Sequence, residues 1–271
     1  MNNQYYAILG INPSKGARSP KLWNKVFKKL KIKSKMICID IKPSQFNQKI
    51  NFLFKDKNFK GGAITNPYKE KIFKKLKKEN IEKSAIKCKS LNLIVRKGLK
   101  FKGFNTDGEA ALNFLKNNEK GIKNNKILIL GFGGAGKAIC SYINSYCREK
   151  IYVSTRLNRF QKRIRKLGYI YILWKDIGKN IEKFDTIINC TSVGHRSAKT
   201  PINRKIIEKC YNKVFFDIIY QPKKTTLLKI AKKNGNKIYN GLEMNFLQAA
   251  ISFSKANDYK NLNEIKNIMK K

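Results

Sequence analysis

Short apolar runs alternate along the chain with stretches in which apolar residues recur every three or four positions. Runs at 5–9, 36–41, 63–65 and 91–95 predict strands, and 99–104 predicts a hairpin-like return. After the first run, Leu22, Trp23, Val26, Phe27 and Leu30 share one helical face. The helix after Asn66-Pro67 carries Ile72, Phe73 and Leu76 inward, and 107–115 predicts a connecting helix. A second series of strands is expected at 127–130, 151–154, 169–173, 186–189, 214–218 and 237–239. The tail, 243–271, is helical again, with Leu247, Ala250, Ile251 and Ser254 on one side. Alternating strands and helices predict an α/β chain with parallel sheets in two arrays. The expected domains are residues 1–106 plus 241–271, and residues 107–240. A cleft between two such lobes is the expected ligand site.

The second array opens on a strand that runs directly into glycines, Ile127-Leu-Ile-Leu-Gly-Phe-Gly-Gly-Ala-Gly136, and then into an amphipathic helix. Gly131, Gly133 and Gly136 form G-x-G-x-x-G in the strand–turn–helix setting that gives the pattern meaning. The first glycine permits the tight turn, the second a close approach to a pyrophosphate, and the third the packing of helix on strand. Gly134 and Ala135 complete the loop. A chance glycine turn is the competing explanation, and the flanking strand and helix weigh against it. The next strand ends in Thr155-Arg156, with Arg159 and Lys162 close behind and no acidic residue to hold a ribose 2′-hydroxyl. An arginine there suits a 2′-phosphate, which points to NADP. In so basic a chain a cation can fall anywhere, so the missing acid is the stronger half of that inference.

Composition changes the picture little. Sixty lysines and arginines stand against 17 acidic residues in 271, a formal charge of +43 that invites a polyanion-binding hypothesis. The basic residues are spread along the whole chain on polar helix faces, as in Lys74-Lys75-Leu-Lys77-Lys78, so no specific nucleic-acid partner is expected. No apolar run is long enough to span a membrane, and the first ten residues lack a signal-peptide pattern and read as a strand; a cytoplasmic protein is expected. The six cysteines show no C-x-x-C spacing, so reduced thiols are expected and no metal site.

Further segments fall in a fixed order: Ser19-Pro20, Thr65-Asn-Pro-Tyr-Lys69, Asn92, Gly103-Phe-Asn-Thr-Asp-Gly108, the glycine loop, Asn189-Cys-Thr-Ser-Val-Gly194, Asp217-Ile-Ile-Tyr-Gln-Pro222, and Asn240-Gly-Leu-Glu-Met244 with Gln248. Together they resemble the shikimate dehydrogenase family over almost the whole chain. The resemblance implies an N-terminal substrate domain completed by the C-terminal helices, a Rossmann domain that binds NADP, and reversible hydride transfer between shikimate and 3-dehydroshikimate. It implies Lys69 and Asp107 as the catalytic pair, and Ser19, Thr65, Asn92, Tyr220 and Gln248 as substrate contacts. It further implies cofactor contacts at Gly131, Gly133, Gly134, Ala135, Gly136, Thr155, Arg156, Thr191 and Gly241. A monomer or homodimer is expected.

These residue types suit the chemistry, because oxidising an alcohol needs a base for the hydroxyl proton as hydride leaves carbon. Asp107 also reads as an N-cap for a helix over 108–115. His195, the only histidine, lies beside the nicotinamide or on a loop surface in this reading. Departures from the family pattern cluster where the substrate carboxylate is expected. Ala17 stands for a serine, Ala63 for an asparagine, and Trp23 for a histidine. Arg18 or Ser14 could compensate; otherwise the substrate is quinate or another cyclic hydroxy acid. A nucleic-acid-binding protein on a Rossmann scaffold is the distant alternative, supported by charge alone.

Overall fold

The computed structural model describes residues 4–270; Met1–Asn3, which open the predicted N-terminal strand segment, and Lys271, which ends the predicted tail helix, lie outside the described residues. The chain forms two compact units, one ending at Asp107 and resuming at Phe246, the other spanning Gly108–Asn245. The divisions fall inside two helices, one and five residues later than the pattern of the sequence suggests.

The first unit runs β1 (Tyr5–Gly10), α1 (Ser19–Lys29), β2 (Lys35–Asp40), α2 (Phe46–Lys55), β3 (Gly61–Ala63), α3 (Lys69–Lys75), α4 (Lys83–Cys88), β4 (Leu93–Lys97) and β5 (Lys100–Phe104). Strands β1 and β2 pair in parallel. The sheet β3-β4-β5 is antiparallel: the β4–β5 pair is the hairpin return expected at 99–104, whereas the antiparallel β3–β4 pair corrects the expectation of a parallel array. The connection Gly98-Leu99 allows only a hairpin between β4 and β5, since a parallel pair needs a long crossover. Parallel bridges from Tyr5 to Phe59 and from Leu9 to Ile64 tie β1 to this second sheet. Trp23, Val26 and Phe27 of α1 pack with Phe253 and Met269 on one side of the unit, while Leu9, Phe59, Tyr68 and Ile72 build the other core. Arg96 gathers the end of α2, donating to the carbonyls of Phe54 (3.0 Å), Asp56 (2.8 Å) and Phe59 (2.8 Å).

Helix α5 (Thr106–Asn118) leads to β6 (Ile127–Leu130), α6 (Gly134–Asn144), β7 (Tyr152–Ser154), α7 (Gln161–Lys166), β8 (Ile170–Ile172), α8 (Ile177–Asn180), β9 (Thr186–Asn189), α9 (Arg204–Glu208), β10 (Val214–Asp217), α10 (Thr226–Lys233) and β11 (Lys237–Asn240). All six strands are parallel, in the order β11-β10-β9-β6-β7-β8. Strands β6 and β9 are buried at every position, and β6 reads as a continuous apolar run, as a strand covered on both faces does. This is the doubly wound sheet, whose ligands bind past the carboxyl ends of the strands. The predicted tail helix is two helices, α11 (Leu242–Asn257) and α12 (Leu262–Lys270), broken after Asp258, which adopts a φ of 52°. Among the described residues no helix is long and apolar enough to cross a membrane. All six cysteines are free thiols.

Candidate active site

In the first unit, four of the expected residues meet in one polar network. Lys69 is the first residue of α3 and forms an ion pair with Asp107. Asn92, at the mouth of β4, donates from Nδ2 to Asp107 Oδ1 (2.8 Å) and to Thr106 Oγ1 (3.0 Å), and accepts from the Thr106 N–H (2.7 Å). Gln248 of α11 donates from Nε2 to Thr106 Oγ1 (3.1 Å) and to Ser252 Oγ (2.9 Å). The two hydroxyls are themselves bonded at 2.7 Å. Thr106 and Ser252, both fully buried, therefore join the two amides to the ion pair. The reading of the sequence did not single them out. Ser252 follows Gln248 by one helical turn, and that spacing was the available signal.

Asp107 is not the N-cap of α5. The helix starts one residue earlier, and Asn105 takes the capping role, its Oδ1 accepting from the Asp107 N–H (3.1 Å) while its Nδ2 donates to the Ser90 carbonyl (2.8 Å). Both carboxylate oxygens of Asp107 are thereby free for Lys69 and Asn92. Thr65 lies four residues before Lys69, its N–H bonded to the Leu9 carbonyl at the end of β1 (2.9 Å). Ser19 opens α1, and the preceding Arg18 stacks its guanidinium 4.4 Å from the centre of the Phe246 ring, two residues before Gln248. Ser14 does not stand in for the missing serine. Its N–H (3.0 Å) and Oγ (2.5 Å) both bond to Asp40, and these bonds hold that carboxyl below its ordinary range.

The second unit carries the glycine loop. Gly131 has a φ of +97°, a region that L side chains rarely adopt. Any Cβ at Gly136 would collide with the Gly131 carbonyl oxygen, so helix α6 can lie on β6 only with glycine there. The space beside Gly133 is open, and this residue caps α6 without a side-chain hydrogen bond. Gly134 and Ala135 form the first turn, so the loop presents unsatisfied N–H donors to open space, which fits a pyrophosphate.

Thr191 packs its methyl group 2.9 Å from where a Cβ of Gly131 would lie. Its N–H (3.0 Å) and hydroxyl (2.7 Å) both donate to Asn189 Oδ1, and Asn189 Nδ2 donates to Asp217 (3.0 Å). Asp217 also accepts from Thr225 Oγ1 (2.7 Å) and the Ile219 N–H (3.1 Å), yet burial pushes its carboxyl up to about 6. Thr155 is buried, with Oγ1 accepting from the Leu157 N–H (3.3 Å). Arg156 is exposed, stacks 5.0 Å from the centre of the Trp174 ring, and donates to the Pro201 carbonyl (3.3 Å). Gly241 accepts from the Asn245 N–H (2.9 Å) at the start of α11. Tyr220 lies in the segment after β10 in this second unit, apart in the chain from the substrate contacts expected in the first. His195 is on an exposed loop, its Nδ1 3.0 Å from the Gln221 carbonyl.

A doubly wound sheet with this loop, in a chain whose other unit holds a lysine–aspartate pair among amides, defines a dinucleotide-dependent oxidoreductase. The family model described as the shikimate dehydrogenase substrate binding domain matches residues 9–94, and a shikimate dehydrogenase (NADP(+)) of Staphylococcus epidermidis is 32% identical over 249 residues, 92% of this chain and 90% of that protein. The chain belongs to the shikimate dehydrogenase family. A shikimate dehydrogenase (NADP(+)) of Caldanaerobacter subterraneus is 30% identical over 256 residues, 92% of this chain and 89% of the relative. The crystal structure of shikimate dehydrogenase from Aquifex aeolicus superposes with a TM-score of 0.88 at 27% identity, covering 99% of this chain and 98% of that one.

Proposed function

We propose that this protein is an NADP-dependent shikimate dehydrogenase, reversibly reducing 3-dehydroshikimate to shikimate in aromatic amino-acid biosynthesis. The observation that carries this reading is the single network joining Lys69, Asp107, Asn92 and Gln248 in a chain of this family. The first unit with the C-terminal helices takes the substrate, and the second takes the cofactor. Bound over Gly131, Gly133, Gly134, Ala135 and Gly136, with Thr155, Arg156, Thr191 and Gly241 at its edges, NADP supplies and accepts the hydride.

The protein's own residues handle the proton. Lys69 and Asp107 share the hydroxyl that is oxidised, one donating to its oxygen and the other accepting from it. Asn92 holds one carboxylate oxygen of Asp107, which fixes the plane in which the other meets Lys69. Gln248 donates from Nε2 to Thr106 and Ser252, leaving Oε1 as the acceptor for a ring hydroxyl. Thr65 and Tyr220 complete the substrate contacts. At the carboxylate end, Ser14 is engaged by Asp40, so the charge falls to Arg18 beside Ser19. A charge-assisted bond there offsets the hydroxyl missing at Ala17.

The test is NADPH formation by purified protein with shikimate or quinate and NADP or NAD, beside Lys69→Ala. Turnover that depends on shikimate and NADP and is lost in the variant is the expected result. Ala17 and Ala63 favour a second reading, oxidation of quinate, and faster turnover of quinate than of shikimate would select it. Absence of turnover with either acid would refute both.

A further inference from the structure

The segment after β9 brings cations to the cofactor unit that the spacing of the sequence did not point to. Arg156 lines an open cavity of about 580 Å³, a volume within the range of small-molecule sites. The other cations on its wall are Lys199 and Arg204, joined by the hydroxyl of Thr200, and the wall carries no acidic residue. Arg159 and Lys162, the basic residues that follow Arg156 in sequence, are not on this wall; Arg159 instead stacks 5.2 Å from the centre of the Phe160 ring.

The cavity lies between the end of β7 and the segment after β9, the two strands that flank β6. It therefore sits at the adenosine side of the glycine loop, where a doubly wound sheet places the ribose of its dinucleotide. The bond from Arg156 to the Pro201 carbonyl and its stacking on Trp174 hold the guanidinium at this wall. Arg204 is the first residue of α9, where the helix dipole disfavours a cation, and Asn203 already caps the helix by accepting from the Lys205 N–H (3.0 Å). Asn203 thus serves the helix end, and the Arg204 guanidinium remains on the cavity wall.

We propose that Arg204, assisted by Lys199, is the second determinant of cofactor choice, pairing with the 2′-phosphate that Arg156 engages in the same cavity. This rests on the NADP reading above. Two guanidinium groups on one phosphate give charge-assisted, bidentate contacts that the hydroxyl of NAD cannot use. Arg204 then acts on cofactor selection alone and leaves hydride transfer and substrate affinity as they are.

Binding of 2′,5′-ADP and 5′-AMP, measured by calorimetry on the full chain, tests the assignment. It is paired with kcat/KM for NADP and for NAD at saturating shikimate. Arg204→Gln should weaken 2′,5′-ADP at least about tenfold, leave 5′-AMP within about twofold, and lower the NADP-to-NAD ratio by the same factor. Arg204→Lys should recover part of the loss, and Arg159→Gln should change neither. An unchanged ratio in Arg204→Gln, or a loss carried by Arg159→Gln, overturns the assignment, as does wild-type protein that does not distinguish the two nucleotides. Wild-type protein that binds 2′,5′-ADP through Arg204 yet oxidises neither shikimate nor quinate leaves this assignment standing and removes the dehydrogenase reading.

Discussion

The glycine loop of the second unit and the polar network around Lys69 in the first are built by opposite means. The loop is backbone: four glycines in the six residues 131–136 create the space, and the first N–H groups of α6 are the donors. The network is side chain: Lys69, Asn92, Thr106, Asp107, Gln248 and Ser252 come from α3, the edge of β4, α5 and α11, and each is held by another. A backbone site tolerates any side chain except a larger one at its glycines. A side-chain site is sensitive at every member, including those that never touch substrate.

Lys69→Ala should strike hardest. Removing an acid–base group costs about 10³-fold in kcat, and the KM for NADP should stay within about twofold. Steady-state kinetics with both ligands varied would reveal a cofactor role instead, if KM moved and kcat did not. Gly136→Val attacks the other kind of site. Its side chain would meet the Gly131 carbonyl oxygen, so cofactor KM should rise about 100-fold while shikimate binding, followed by calorimetry, persists.

Asp217 allows a comparison by pH. Its buried carboxyl is raised from 3.8 to about 6, so the folded state holds a proton that the unfolded state has released. Stability from this group therefore falls as pH rises from about 4 to about 6, by up to about 3 kcal/mol, and levels off above. Urea titrations across that window should show the decline in wild-type protein and its loss in Asp217→Asn. Thr106→Val should cost about tenfold in kcat/KM, because it leaves amide donors of Asn92 and Gln248 without their shared acceptor. His195→Ala should change turnover by less than about twofold; a larger loss would place the exposed imidazole in the reaction.

The difference between the two sites also explains what could be read from the sequence. The glycine loop is contiguous, so its spacing and its flanking strand and helix announce it. The six-stranded parallel sheet follows from apolar runs that alternate with helical stretches. The network is not contiguous, and Lys69 among 60 basic residues carries no local mark. Only the ordered set of short segments drew attention to it. Asp107 was misread as a cap because Asn105 has the same capping chemistry two residues earlier. The antiparallel sheet of the first unit was half visible, in the two-residue turn at Gly98-Leu99. Arg204 and Lys199 were invisible, because nothing in a chain position says which cavity a loop will line.

The start of α6 has one more consequence. A helix of 11 residues that is capped by Gly133 without a side-chain bond forgoes only about 0.3 kcal/mol that serine or aspartate would contribute, but leaves its first N–H groups to a ligand. On the proposed reading the phosphates of NADP would supply that cap, making occupancy and local folding one equilibrium. Amide hydrogens of the first turn should exchange with solvent more slowly as NADP is added, and the melting temperature should climb with its concentration. The resistance of the protein to unfolding and proteolysis then becomes a gauge of the nicotinamide nucleotide pool around it.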